Sequence, residues 1–441
     1  MFENKTITKE NQTMSETDAP YMLTATEALR RIDAGTLSPP DWIASCRERI
    51  RLREPEIHAW AYLDDDAERE AAEQVRLGRR SIIPVGAKDI IDIEGMPTMM
   101  GTDFHSPAPA TREGGSVALM REAGCVFLGK TVSTELGHRH PGPTRNPHNT
   151  AHTPGGSSSG SAAAVADFMV PLCLGTQTTG SVIRPAAYCG VVGYKPSYND
   201  FDKTGVLANA PSMDTLGILA RCVEDAALLR GILVEAPSDG LEGTPLDKLT
   251  FGLLTTSPWE MADAESRKLI ENLMGDLAAR GARTTTLGLD REIARLMELQ
   301  RLISGYEFKR SIAFERFRHF DRLSRILREG RLADGERVSS GEYQHALVEL
   351  ARLKFRMTEI FAEVDIIVFP SAAGPAPEGI GSTGEPTFNS AWTLAGNPVV
   401  TLPLFTSAKS GLPIGCQFIG GLGRDDMLLS AAKSVMDSVA S

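Results

Sequence analysis

The chain of 441 residues has little that would place it in an oxidising compartment or a membrane. Its six cysteines, Cys46, Cys125, Cys173, Cys189, Cys222 and Cys416, are widely spaced and include no C-x-x-C pair. That pattern argues against a disulfide framework and fits the reduced thiols of a cytoplasmic protein. Nowhere do about 18 apolar residues run together, so no membrane-spanning helix is expected. Residues 1–20 read as a flexible polar tail without the apolar core of a secretory signal. Basic charge is also short: 46 Lys and Arg against 57 Asp and Glu leave a net charge of -11. Such a balance opposes non-specific attraction to nucleic acid or to an anionic membrane, so neither is an expected partner.

What is present is the composition of a packed globular protein, 42% hydrophobic and 23% charged. Helical composition occupies Ala25 to Asp33, Pro40 to Arg53 and Asp64 to Gly78. Short apolar runs from Ile82 to Ile93 and Cys125 to Leu128 then read as strands, with an amphipathic helix between them. A loop dense in Gly, Pro, Ser and His spans Pro141 to Gly160 and leads into an Ala-rich helix from Ser161 to Asp167. Residues 282–364 carry Arg, Glu and Leu at helical spacing and are read as a helical insertion, in which Phe308, Phe314, Phe317 and Phe320 form a core stripe. Strands follow at Val364 to Pro370, Pro398 to Phe405 and Pro413 to Ile419, and a helix at Asp426 to Val439. Alternation of this kind predicts the α/β class.

Three segments could carry chemistry: VGAKDI with Lys88, PGGSSSGSAAA with Ser157, and GTQTTGSVIRPAA with Ser181. A serine hydroxyl is a poor nucleophile at neutral pH unless a nearby base removes its proton. A desolvated lysine can be that base, because burial lowers its pKa. Successive backbone N–H groups from Thr178 through Thr179 and Gly180 to Ser181 could cradle the oxyanion of a tetrahedral intermediate.

Together these segments resemble the amidase signature family, whose members share a catalytic lysine, a cis-peptide serine and a nucleophilic serine. Further stretches carry the resemblance along the chain: MREAGCVFLGKT, GPTRNP, CGVVGYKPS, the block DTLGILARCVEDAALL, WTLAGNPVVTLP and GLPIGCQFIG. The separations of Lys88, Ser157 and Ser181, 69 and 24 positions, match those of the smaller bacterial members. The resemblance implies one α/β domain over residues 21–441 with a large mixed β-sheet flanked by helices, and no cofactor. It further implies a base at Lys88, a bridging serine at Ser157, a nucleophile at Ser181 and a support for Lys88 from Ser158. Neutral Lys88 would take a proton from Ser157, and Ser157 one from Ser181 as it attacks the carbonyl of a small amide, an aryl amide or a urea- or carbamoyl-type substrate. The proton would return to the departing nitrogen, and water would hydrolyse the acyl-enzyme. The sequence departs from the commonest pattern at Gln177, Thr179 and the S-V-I-R order, which bears on specificity. Arg184, in a form similar to malonamidase-like members, is a candidate for a substrate carboxylate or for a structural pairing. Gln177, His138 and Ser158 complete the substrate-side candidates.

Competing readings stay open on the residues alone. Gly156 to Gly160 fits G-x-S-x-G, which would make Ser158 the nucleophile of a Ser-His-Asp enzyme with His319 or His345. No strand directly precedes it, as that elbow requires. His138, His140, His148 and His152 have H-x-H and H-x-x-x-H spacings that could hold a metal, with pocket lining the alternative. The Gly-rich loop lacks the G-x-x-x-x-G-K-[ST] pattern of a phosphate cradle. An amidase-like subunit of an amidotransferase complex is the other reading of the resemblance, and the chain length favours a standalone enzyme. A homodimer is the commonest assembly for such chains.

Overall fold

Two parallel strands, β2 (Ile83–Lys88) and β4 (Leu172–Gln177), lie side by side and end together in this computed structural model, which describes residues 19–236 and 240–440. Their register pairs Val85 with Leu172 and Ala87 with Leu174. Every residue of both strands is buried. Helices cover both faces of such a strand, so its sequence is a continuous apolar run rather than an alternating one. The consequence is positional: Lys88 and the loop after Gln177 emerge at the same edge of the sheet, where open α/β sheets bind their ligands.

The other strands are β1 (Trp60–Leu63), β3 (Cys125–Thr131), β5 (Val192–Lys195), β6 (Thr215–Ala220), β7 (Thr250–Leu254), β8 (Arg283–Leu287), β9 (Ile366–Pro370), β10 (Val399–Thr406) and β11 (Pro413–Gly420). Among the described residues they form one 11-stranded sheet in the order β1-β3-β2-β4-β6-β5-β10-β11-β9-β7-β8. Pairing is parallel at β3-β2-β4 and at β9-β7-β8, and antiparallel between these blocks and at β1. The chain is thus a single α/β domain with a large mixed sheet, as the resemblance implied.

The helix Ser159–Ala166 is buried along most of its length and packs on β2, β3 and β4. Small residues let it approach: a β-carbon on Gly160 would stand 2.2 Å from the Ala59 carbonyl oxygen. This close seat brings Ser157 and Ser158, just ahead of the helix, to the ends of β2 and β4. Among the described residues no helix is long and apolar enough to cross a membrane.

Three expectations need correction or limitation. The helical insertion does not start at 282, because Arg283–Leu287 is an edge strand parallel to β7, and the long helices span Asp290–Ser311 and Ser340–Ile360. Its β-branched Thr284, Thr285 and Thr286 suit a strand, but exposure removes the apolar alternation that would have marked it. The phenylalanine stripe is not a core stripe: Phe308 is buried, whereas Phe314, Phe317 and Phe320 are exposed. The helix ends at Ser311 and a short one, Ala313–Arg318, begins with a different face toward the core, leaving Phe317 under the Arg316 guanidinium at 4.5 Å. Residues 1–18 of the expected tail lie outside the described residues, and Pro20–Met22 is a single 3-10 turn.

Candidate active site

Lys88 is fully buried at the end of β2 and donates two hydrogen bonds, to Ser157 Oγ at 2.6 Å and to Thr176 Oγ1 at 2.7 Å. Burial removes water from the ammonium and brings its pKa down to about 7, with the charge of Asp214 opposing the shift. At that value a large share of the side chain is neutral near pH 7 and able to accept a proton. The peptide bond from Gly156 to Ser157 is cis, as the resemblance implied.

Ser158 is not the partner of Lys88. Its hydroxyl donates to the Thr176 carbonyl at 3.3 Å and accepts from the Thr176 N–H at 3.2 Å. Fully buried against the β4 backbone, it lines no part of the cavity beside Ser181, so it is a loop anchor rather than a substrate contact. The neighbouring Thr176 hydroxyl supplies the second bond to Lys88 instead.

Ser181 lines a cavity of about 70 Å³ together with Gly137, His138, Thr178, Thr179, Arg184 and Asn209. Its hydroxyl makes no hydrogen bond among the described residues, so the link from Ser181 to Ser157 is open while that from Ser157 to Lys88 is closed. The loop that presents it is held from several sides. Thr178 Oγ1 donates to Asp214 Oδ1 at 2.6 Å, Thr393 Oγ1 donates to the Thr179 carbonyl at 2.7 Å, and Gln300 Nε2 donates to Thr179 Oγ1 at 2.9 Å. A β-carbon on Gly180 would meet Asn389 Oδ1 at 2.4 Å, so only glycine lets the loop pack there. Gln177, expected as a substrate contact, is buried beneath this loop. Its Oε1 accepts from the N–H groups of Val182 and Ile183 at 2.8 and 3.1 Å, and its Nε2 donates to Thr393 Oγ1 at 2.9 Å.

Two arginines reach the cavity without an ion pair among the described residues. Arg184 Nη2 donates to the Gly156 carbonyl at 2.6 Å and to Thr383 Oγ1 at 3.3 Å, while its Nε and Nη1 are buried with no partner. Arg331, which sequence reasoning did not single out, donates from Nε to His138 Nε2 at 3.3 Å and from Nη1 to Ser304 Oγ. Desolvation lowers both guanidinium groups to about 10. His138 is half-buried against Phe308, with ring centroids 5.1 Å apart, and its pKa is driven well below the usual value by desolvation and then by Arg331 and Arg139. The ring is therefore neutral, with Nε2 as acceptor.

The four clustered histidines do not converge. His148 bonds the Cys189 carbonyl through Nε2 at 2.9 Å, and His152 the Ala376 carbonyl through Nδ1 at 2.8 Å. His140 lines a different groove from His138. Among the described residues no three His, Cys, Asp or Glu side chains are placed to hold a metal ion together. His319 is stacked on Phe104 at 4.8 Å, and the bonds of Ser158 go to backbone rather than to a histidine. Thr176, Asn209, Asp214, Gln300 and Arg331 are the site residues that sequence reasoning missed. Thr176 sits in the Ser181 segment and Asp214 opens the DTLGILA block, so both had a signal; the others had none.

A family model described as Amidase matches residues 41–429. Among curated relatives, a subunit of the glutamyl-tRNA(Gln) amidotransferase of Thermus thermophilus is 29% identical over 94% of this chain and 97% of its own length. Its counterpart from Salinibacter ruber is 36% identical, over 51% of this chain and 46% of its own length, so there the match spans about half of the relative. Among solved structures, one reported as a crystal structure of amidase superposes with a TM-score of 0.84 at 30% identity, covering 94% of this chain and 99% of that one. The native peptide amidase from Stenotrophomonas maltophilia superposes at 0.82 with 26% identity, covering 95% and 97%. The mixed sheet and the matched length define an amidase-type α/β fold. The chain belongs to the amidase family.

Proposed function

We propose that the protein hydrolyses the C–N bond of a small carboxylic amide through an acyl-enzyme on Ser181, with Ser157 as proton bridge and Lys88 as base. The observation that carries this reading is a fully buried lysine with a pKa of about 7, bonded at 2.6 Å to Ser157 Oγ beside the cavity that Ser181 lines. Lys88 draws the Ser157 proton, and Ser157 draws that of Ser181 once substrate closes the open link, since such bonds often tighten only in the substrate complex. The N–H groups of Thr178, Thr179, Gly180 and Ser181 receive the developing oxyanion on a loop already fixed by Asp214, Gln300 and Thr393. The proton then passes back through Ser157 to the leaving nitrogen, and water releases the acid. No cofactor enters this scheme.

Arg184 and Arg331 line the same small cavity without carboxylate partners among the described residues, which favours an amide that itself carries a carboxylate. On this reading Arg184 has two uses: Nη2 holds the Gly156 carbonyl, and Nε and Nη1 would take the substrate carboxylate. His138 keeps Arg331 in place by accepting from its Nε.

The test is intact-mass analysis after a fluorophosphonate, followed by release assays on primary amides, anilides and ureas. Wild-type protein gains one label at Ser181 and releases amine, whereas Ser181→Ala does neither and stays folded. Normal turnover by Ser181→Ala would sink the mechanism. The name of the Thermus thermophilus relative supports a second reading, that the chain is the amidase-like component of an amidotransferase complex. Turnover by the isolated chain decides for the first, and turnover that requires a co-purifying partner decides for the second.

A further inference from the structure

Asn209 sits in the segment that leads into β6, and its place is set from behind. Its backbone N–H donates to Asp214 Oδ2 at 2.7 Å, while the other oxygen of the same half-buried carboxylate holds Thr178 Oγ1. One acid thus fixes the Asn209 backbone relative to the loop that carries Ser181. The Asn209 residue is 5% exposed, lines the cavity with Ser181, and its Oδ1 has no hydrogen-bond partner among the described residues. A buried acceptor left unpaired is destabilising, so one on a residue that lines a ligand cavity points to a donor on the ligand.

The surroundings say which donor. A β-carbon built on Gly137 would stand 2.9 Å from Asn209 Nδ2 and 3.9 Å from Ser157 Oγ, so the carboxamide and the Ser157 hydroxyl both flank Gly137, which lines the cavity. On the reading above, Ser157 is the group through which the leaving nitrogen is protonated. The cationic groups Arg184 and Arg331 offer only donors. In an amide that also bears a carboxylate, the carboxylate and the carbonyl are acceptors, and the amide nitrogen carries the only N–H groups.

We propose that Asn209 Oδ1 accepts an N–H of the scissile amide nitrogen, making Asn209 a specificity residue for the leaving group. It would orient the nitrogen lone pair toward Ser157 and favour amides that bear an N–H over esters of the same acid. This inference rests on the amide-hydrolysis reading, and the experiment separates the two. Malonamate and succinamate are compared with their monomethyl esters as substrates for wild type, Asn209→Leu and Asn209→Ala, with fluorophosphonate labelling of each protein. The expected result is a fall of at least tenfold in the amide-to-ester ratio of kcat/KM in both variants, which a purely structural role would not produce because it would lower both activities together. A ratio within twofold of wild type in a variant that labels at Ser181 overturns the inference alone. So does a labelled wild type that cleaves the esters but neither amide. Failure of the wild type to label and to turn over any of the four compounds overturns the amide reading and the inference with it.

Discussion

At Lys88 two forces act in opposite directions. Burial disfavours the ammonium and the Asp214 carboxylate favours it, and burial wins, leaving the pKa at about 7. On the proposed mechanism the neutral amine is the form that accepts a proton, so activity should be lost as pH falls through that value and stay constant above it. The kcat/KM profile should therefore show an acid limb with an apparent pKa of about 7. Asp214→Asn removes the charge that stabilises the ammonium, so the limb should move to lower pH, and a stopped assay on one amide across pH 5 to 9 measures both. An unmoved limb in Asp214→Asn would mean that Lys88 is not the titrating group. At this scale the sequence was readable for residues named by a motif, Lys88, Ser157 and Ser181. It was silent on Asn209 and Arg331, which lie in segments without a pattern and gain meaning only from the cavity they share with Ser181.

The segment between β4 and the helix Ile183–Cys189 shows how an element can be recognised while its parts are misassigned. Its Gly and Thr content pointed to a loop with free N–H groups, and the loop is there. Gln177, which departs from the usual residue of the family pattern, looked like a specificity determinant from sequence because nothing in the chain order reveals which way it faces. It faces inward and satisfies two backbone donors at the start of the following helix. Gln177→Leu leaves both N–H groups buried without an acceptor, so unfolding in urea should show a loss of about 1–3 kcal/mol. A change within about 0.5 kcal/mol would show that the helix start does not depend on Gln177.

Across the whole molecule, the 11-stranded sheet separates its parallel blocks by antiparallel strands, and the site forms where parallel β2 and β4 end beside the Ser157 loop. The helices between β8 and β9 contribute Gln300, Ser304, Phe308 and Arg331 to this edge, and thereby form one wall of the cavity. Only part of their apolar surface is core. Phe308, 2% exposed, and Phe317, 72% exposed, should behave oppositely when shortened. Phe308→Ala is expected to cost about 3–5 kcal/mol in urea unfolding. Phe317→Ser should stay within about 0.5 kcal/mol. Equal losses at both positions would contradict the packing described.

By itself the sequence determined the α/β class, the short apolar runs of β2, β3 and β9 to β11, and, through the family resemblance, the three segments that carry Lys88, Ser157 and Ser181. These are local properties: periodicity, composition and spacing survive in a linear string. It could not determine that Thr176 rather than Ser158 bonds Lys88, that Gln177 supports a helix start, or that the clustered histidines bond separate carbonyls. Nor could it tell the exposed Phe317 from the buried Phe308, or bring Asn209 and Arg331 to the same small cavity. Those facts depend on which way a side chain points and on what arrives from distant parts of the chain. Direction and neighbourhood are set by sheet register and helix packing, and only the tertiary structure decides them.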